Sequence, residues 1–394
     1  MPSAAIPQLD EAGSLDTRVA KQTLVVAIAG LFAGGLMVMA AWHSVSWRAP
    51  ALALVGLCLG FVLFKSTFGF AGSFRAALER GDASGFRAQA VALAISSMVF
   101  FPLLAQGQIL GMPLSGFGGQ IGVSFLAGAV LFGIGMQIGG GCASGTLFVL
   151  GGGNIRLLAT LAFFIIGSAV GAAHLDFWRA LPALDAGTTQ DLLGWPLALA
   201  LHLGVFATVV RFAPSRLARQ DGASLSAASL ISRPWPLLWG AVALAALNSL
   251  TLVVAGRPWG ETSGFTLWGS KLALAMHIDA ANWPYWRGYP DPLFQSVFSD
   301  ITSIMDFGII LGAALAAGLG GRFLLRVEPD PGAWFGACAG GLLMGYGARL
   351  SDGCNIGAYF SALASGSLSG WAWVAAAFVG SAIGLKLRPL FRLA

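Results

Sequence analysis

Ten stretches of this chain run for about 20 residues with hardly a charge, the length needed to cross roughly 30 Å of hydrocarbon. They fall near 22–44, 49–66, 86–106, 119–138, 154–176, 192–212, 234–256, 300–320, 332–349 and 368–388. Inside a bilayer no water is available to the backbone, so runs of this kind are stable only as spanning helices. With 57% hydrophobic residues, 10% charged residues and a mean hydropathy of +0.78, the chain cannot be a water-soluble globule. The expected class is an all-α polytopic membrane protein whose main partner is the lipid bilayer. The first seventeen residues are polar, and the apolar run that follows lacks a convincing cleavage site, so it reads as a retained span.

Four shorter semi-apolar pieces lie between the spans, at 68–79, 142–151, 262–276 and 354–365. Each is too short to cross, and such pieces survive at membrane depth only when buried in protein or facing a water-filled cavity. They read as re-entrant helices. The order of spans and short pieces after 49–66 recurs after 234–256, which divides the chain into an extra N-terminal helix (1–48), a first half (49–176), a linker helix with a basic loop (177–233) and a second half (234–394). An odd number of spans separates the halves, so the second enters the membrane from the opposite side. This is the inverted, pseudo-symmetric arrangement of many transporters, and half-helices entering from both faces would give an hourglass. Of the 22 lysines and arginines, Arg48, Arg179, Arg257, Lys271, Arg287 and Arg349 fall on one side and the other sixteen on the opposite side. By the positive-inside rule both termini are then cytoplasmic.

The halves also share a motif. Residues 127–145 read AGAVLFGIGMQIGGGCASG and residues 339–357 read AGGLLMGYGARLSDGCNIG, which sets Cys142 and Cys354 in matching places 212 positions apart. Gly141 and Gly353 before the thiols, and Gly145 and Gly357 after them, allow sharp turns and close backbone approach. The short helix behind each cysteine presents its N-terminal amides to the hinge, a favourable place for a small anion. A thiol is a soft, weak donor suited to a sulfur-bearing anion. Whether the thiol stays neutral beside a helix N-terminus is open, because the dipole and burial pull in opposite directions. A cysteine among glycines can equally serve close helix packing. Gln137 in the first motif stands where the second has Arg349, and Gly140 where it has Asp352; Arg349 and Asp352 either sieve an arriving anion or pair with each other.

The remaining candidates are weaker. Cys58 and Cys338 have no repeat partner and read as packing residues, and Asp306 reads as a polar lining or a structural hydrogen bond. Four cysteines are too few for a disulfide framework, and neither zinc nor haem spacing occurs, so no metal and no cofactor is expected. No nucleotide fingerprint, phosphate-binding loop or hydrolytic signature is present. Neither an enzyme, a primary pump nor a nucleic-acid partner is implied. The aromatic loop 277–300 reads as a cap on one face.

Taken together, GMQIGGGCASG, RPWGETSGFTLWG from Arg257, the apolar segment that includes Ser303 and Asp306, and GARLSDGCNIG resemble the YeeE/YedE family of membrane proteins, whose characterised members import thiosulfate. The resemblance covers about residues 50–390. It implies an hourglass of two pseudo-symmetric halves in a bacterial inner membrane, with Cys142 and Cys354 handing thiosulfate inward through thiol hydrogen bonds. A cytoplasmic sulfur-accepting protein is then a candidate recipient. One departure stands out. The family pattern has a third cysteine in the segment FVLFKSTFGFAGSFRAAL, where this chain has Gly69, and Cys58 lies about three helical turns away. A membrane sulfur relay using persulfidated cysteines, or a sensor that no longer transports, are the alternative functions.

Overall fold

The computed structural model describes residues 24–39, 47–109, 111–215 and 233–393. The polar N-terminus with Arg18 and Lys21, both ends of the first expected span, and Arg216 and Arg219 of the basic loop lie outside the described residues. The chain is helical almost throughout. After α1 (Leu24–Met39) come α2 (Arg48–Ser66), α3 (Phe70–Arg80), α4 (Ser84–Gln106), α5 (Val123–Ile138), α6 (Ala143–Gly151) and α7 (Arg156–Ala173). Two five-residue helices, α8 (Leu175–Arg179) and α9 (Thr189–Leu193), lead to α10 (Trp195–Phe212). The later elements are α11 (Leu237–Ala255), α12 (Thr262–Ala275), α13 (Ile301–Leu319), α14 (Pro331–Leu350), the π-helical α15 (Asn355–Ser361) running into α16 (Ala362–Ala364), and α17 (Leu368–Leu387).

Among the described residues, eight helical stretches are long and apolar enough to cross a membrane. Ten crossings are expected from the sequence. The difference lies in α1, of which only Leu24–Met39 is described, and in α14, whose glycines and Arg349 set it apart from the eight. The four short pieces appear as α3, α6, α12 and α15–α16, within a few residues of their expected limits. Two of the eight stretches, Arg48–Arg80 and Val123–Gly151, break internally at these pieces. The first breaks at Thr67, whose left-handed φ of 47° closes α2 with its amide on the Leu63 and Phe64 carbonyls. Among the described residues, strand is confined to two small antiparallel ladders, β1 (Gln108–Ile109) with β2 (Met112–Pro113), and β3 (Gln120–Gly122) with β4 (Ala183–Asp185).

Apolar surface does not distinguish helix from lipid, so close packing must hold the bundle, and small residues permit it. α2 lies against α13 through Gly56 and Gly60 facing Gly308 and Gly312, where a Cβ on any of the four would strike backbone. α7 meets α14 through Gly167, Gly341 and Gly345, and α5 meets α17 through Gly133, Gly380 and Gly384. α4 packs on α11 and α5 on α14. Some hydroxyls bond back four residues, as Ser66 does to the Val62 carbonyl and Ser351 to the Gly347 carbonyl, so these cost little at depth. α10 buries only Ala198, His202 and Phe206 and leaves its other side outward. At the centre sits an aromatic cluster: Phe70 meets Tyr359 and Phe360 edge-on, and Tyr359 stacks on Trp373.

Candidate functional site at four helix N-termini

The residues that cap the short helices define the site. They are Gly69 for α3, Cys142 for α6, Glu261 for α12 and Cys354 for α15. Each helix leaves its first amides without intrahelical acceptors, so each cap position is a small region of positive potential.

The turn in front of each thiol is built the same way. Gly140 has φ +90° and Asp352, at the matching place, has φ +56°. Left-handed backbone is natural for glycine and tolerated by aspartate. Both turns reverse α5 or α14 into the short helix and set the sulfur at its first turn. Cys142 and Cys354 are each 1% exposed, whereas Cys58 is exposed and Cys338 half-buried. The outward-facing Cys58 is thus not the packed residue expected of it. The Cys142 sulfur meets Ser144 Oγ at 3.4 Å and faces the amides of Gly145 and Ala71, the latter in the first turn of α3. The Cys354 sulfur accepts from the Ile356 amide at 3.4 Å, and its S–H donates to Glu261 Oε2 at 3.8 Å.

The neighbouring glycines keep space around the sulfurs. A Cβ on Gly145 would lie 3.4 Å from the Cys142 sulfur, one on Gly141 3.3 Å from Gly145, and one on Gly353 3.0 Å from the Ala358 amide. One on Gly357 would press the Phe117 ring at 3.0 Å. Gln137 donates to the Ala71 carbonyl at 3.3 Å, and Arg349 donates to Thr262 Oγ1 at 2.8 Å. In each half, therefore, the residue five places before the cysteine ties the hinge to the first turn of the other short helix. Arg349 also lies 5.1 Å from the Tyr285 ring centre, and no ion pair joins it to Asp352.

Sequence reasoning missed several members. Glu261 is buried, with Oε1 lacking any hydrogen-bond partner. Asn355, directly after Cys354, is buried with both amide atoms unpartnered. Asp306, already a candidate from the sequence, is buried with both carboxyl oxygens unpartnered. An acidic residue just before a short semi-apolar piece was the available signal for Glu261, since ionisable groups at that depth are costly. Nothing in the sequence singles out Asn355.

One end of the bundle opens in a cavity of about 230 Å³ that reaches Glu261, Gly353 and Gly357 and is lined by Arg179, Arg257 and Arg349 together with Asp352 and Phe117. The expected cap at 277–300 lies beside it, with Trp286 donating to Ser270, Lys271 to the Leu293 carbonyl, and Arg287 bridging to Asp176 at 3.0 Å. Beyond Gly140, at the other hinge, a second set of arginines gathers: Arg156 against Gly140, Arg388 on the Gln137 carbonyl at 2.9 Å, and Arg75 within electrostatic reach of Arg388. Among the described residues no cluster of histidine, cysteine and carboxylate side chains could hold a metal.

Two enclosed thiols between two groups of arginines suit the passage of an anion, and residues 65–383 match the sulphur transport family. The chain belongs to that family, which is also called YeeE/YedE. It is 28% identical over 339 residues to the thiosulfate transporter TsuA of Spirochaeta thermophila, spanning 81% of this chain and 92% of the relative. A second thiosulfate transporter TsuA, from Escherichia coli, is 23% identical across 81% of this chain and 88% of its own length. The probable transporter YedE of Escherichia coli is 30% identical over 161 residues, 40% of each chain. As a member of the sulphur transport family the chain is a multi-pass membrane transporter and not an enzyme.

Proposed function

We propose that this protein imports thiosulfate, or a closely related sulfur-containing anion, across a bacterial inner membrane, past Cys354 and then Cys142. Arg179, Arg257 and Arg349 collect the anion at the outer cavity. The two thiols then donate to it in turn, helped by the amides at the starts of α15, α6 and α3. Arg156, Arg75 and Arg388 receive it on the inner side, where a cytoplasmic sulfur-accepting protein removes it. The observation that carries this reading is the enclosure of both thiols at helix N-termini between the two arginine groups.

The donor chemistry suits the cargo. A thiol binds a hard oxyanion weakly and a polarisable sulfur terminus comparatively well, so a site built on S–H favours thiosulfate over sulfate and holds neither so tightly that it cannot leave. In this reading ten helices cross the membrane in two inverted halves around an hourglass waist, with both termini cytoplasmic. The packing of α2 on α13 beside that of α11 on α4, and of α7 on α14 beside α17 on α5, supports the pseudo-symmetry.

Uptake of radiolabelled thiosulfate in cells that require imported thiosulfate tests the proposal. Cys142→Ala and Cys354→Ala are each expected to lower uptake about tenfold at unchanged membrane abundance, the loss of one hydrogen bond of ~1.4 kcal/mol. Full uptake in both variants would remove the thiols from the path.

A further inference from the structure

The carboxyl group of Glu261 is out of keeping with a passage for anions. It caps α12 at 1% exposure, and no lysine, arginine or histidine lies within ion-pair distance of it among the described residues. Oε2 takes the single proton of the Cys354 thiol as a hydrogen bond, and Oε1 has no partner. The groups facing it are few. Cys354 comes from the α15 cap, Cys142 and the Ser144 amide from α6, and Asp306 from α13, where a Cβ on Gly264 would lie 2.7 Å from Asp306 Oδ2. Arg349 on α14, Arg257, Arg179 and Asp352 share the cavity that ends at Glu261.

An ionised Glu261 would oppose the cargo twice. Its charge repels an anion in a place where water cannot screen it, and as an acceptor it holds the Cys354 proton that the anion needs. A protonated Glu261 reverses both effects. The charge is gone, and its O–H becomes a donor to the Cys354 sulfur or to the anion, so the thiol proton turns toward the substrate.

We propose that Glu261 is the binding site for a proton that crosses with the anion, making this protein a proton-coupled importer. The inference rests on the anion-import reading above. A proton enters from the outer cavity onto Glu261, the anion then passes the two thiols, and release of both to the cytoplasm returns the carboxylate, so no other reactant is needed. Glu261 lies within reach of the cavity that delivers the anion, so the same path serves both ions.

The test uses the full-length protein in sealed liposomes, with radiolabelled thiosulfate outside and a pH-sensitive dye inside. An imposed inward proton gradient is expected to raise initial uptake at least roughly fivefold, the low end for coupling between two ligands. Thiosulfate added without a gradient should acidify the lumen. In Glu261→Gln the ratio of uptake with and without the gradient should fall to about one and the acidification should vanish. Infrared difference spectra of the unaltered protein in detergent supply a readout independent of the variant's folding: a carboxylic-acid carbonyl band should grow when thiosulfate binds. Uptake that ignores the gradient, no such band, or a gradient response that survives in Glu261→Gln would each overturn the proton site while leaving anion import intact. Absence of thiosulfate uptake under every condition would overturn the import reading and the coupling with it.

Discussion

The thiol of Cys354 donates to a carboxylate oxygen of Glu261 across 3.8 Å, joining two residues 93 positions apart that each cap a different short helix. Soft donor and hard acceptor therefore occupy one enclosed spot, and the thiol cannot serve a substrate and Glu261 with the same proton. The predictions below follow from this crowding of helix ends.

Selectivity should depend on the softness of the donor. Cys354→Ser keeps a hydroxyl donor at the α15 cap but exchanges sulfur for a smaller, harder atom. Sulfate and sulfite should then compete with radiolabelled thiosulfate more strongly than they do against the unaltered protein. Equal competition before and after the change would mean that the sulfur atom contributes only its volume.

Gly69 offers the reciprocal experiment. It caps α3 in extended backbone with φ −105°, and a Cβ there would find nothing nearer than 3.9 Å. Gly69→Cys should therefore fold normally and raise the initial uptake rate by adding a thiol donor at the α3 cap. An unchanged rate in properly inserted protein would exclude that position from the path.

The hinge turns make a stability prediction. Gly140→Ala forces a side chain into φ +90° and onto the Arg156 guanidinium, so it should cost about 1–2 kcal/mol or more and lower the thermal midpoint of the detergent-solubilised protein. Asp352→Gly should be neutral in the same measurement, because glycine accepts the φ of +56° that aspartate already adopts.

Helix contact through glycine should be just as position-specific. Gly60→Leu would drive a side chain into the Ile309 backbone and is expected to abolish folded protein, read as loss of the monodisperse peak in size-exclusion chromatography. Gly204→Leu on α10 has no atom within 4 Å of the added Cβ and should leave the peak intact.

Arg349 ties the cavity that reaches Glu261 to the start of α12 through Thr262. Arg349→Gln should raise the half-saturating thiosulfate concentration more than it lowers the maximal rate, and should weaken the dependence of uptake on ionic strength. A pure loss of maximal rate with unchanged salt dependence would assign Arg349 to scaffolding.

Much of this protein was fixed by its sequence, because membrane burial is legible one segment at a time. A run of apolar residues must become a helix in lipid, and a run too short to cross must be enclosed by protein, so eight of the ten expected spans and the four short helices are placed from residue order alone. Repetition then singled out Cys142 and Cys354, and the turns before them follow from Gly140 and Asp352 at matching places. Tertiary structure decided what those helix ends meet. That Glu261 reaches Cys354, that Asn355 and Asp306 are enclosed without partners, and that Arg179, Arg257 and Arg349 share one cavity all depend on which helices pack together. Helix against helix looks much like helix against lipid to an apolar side chain, so the sequence specifies insertion strongly and leaves partner choice to glycine contacts and hydrogen bonds between distant segments.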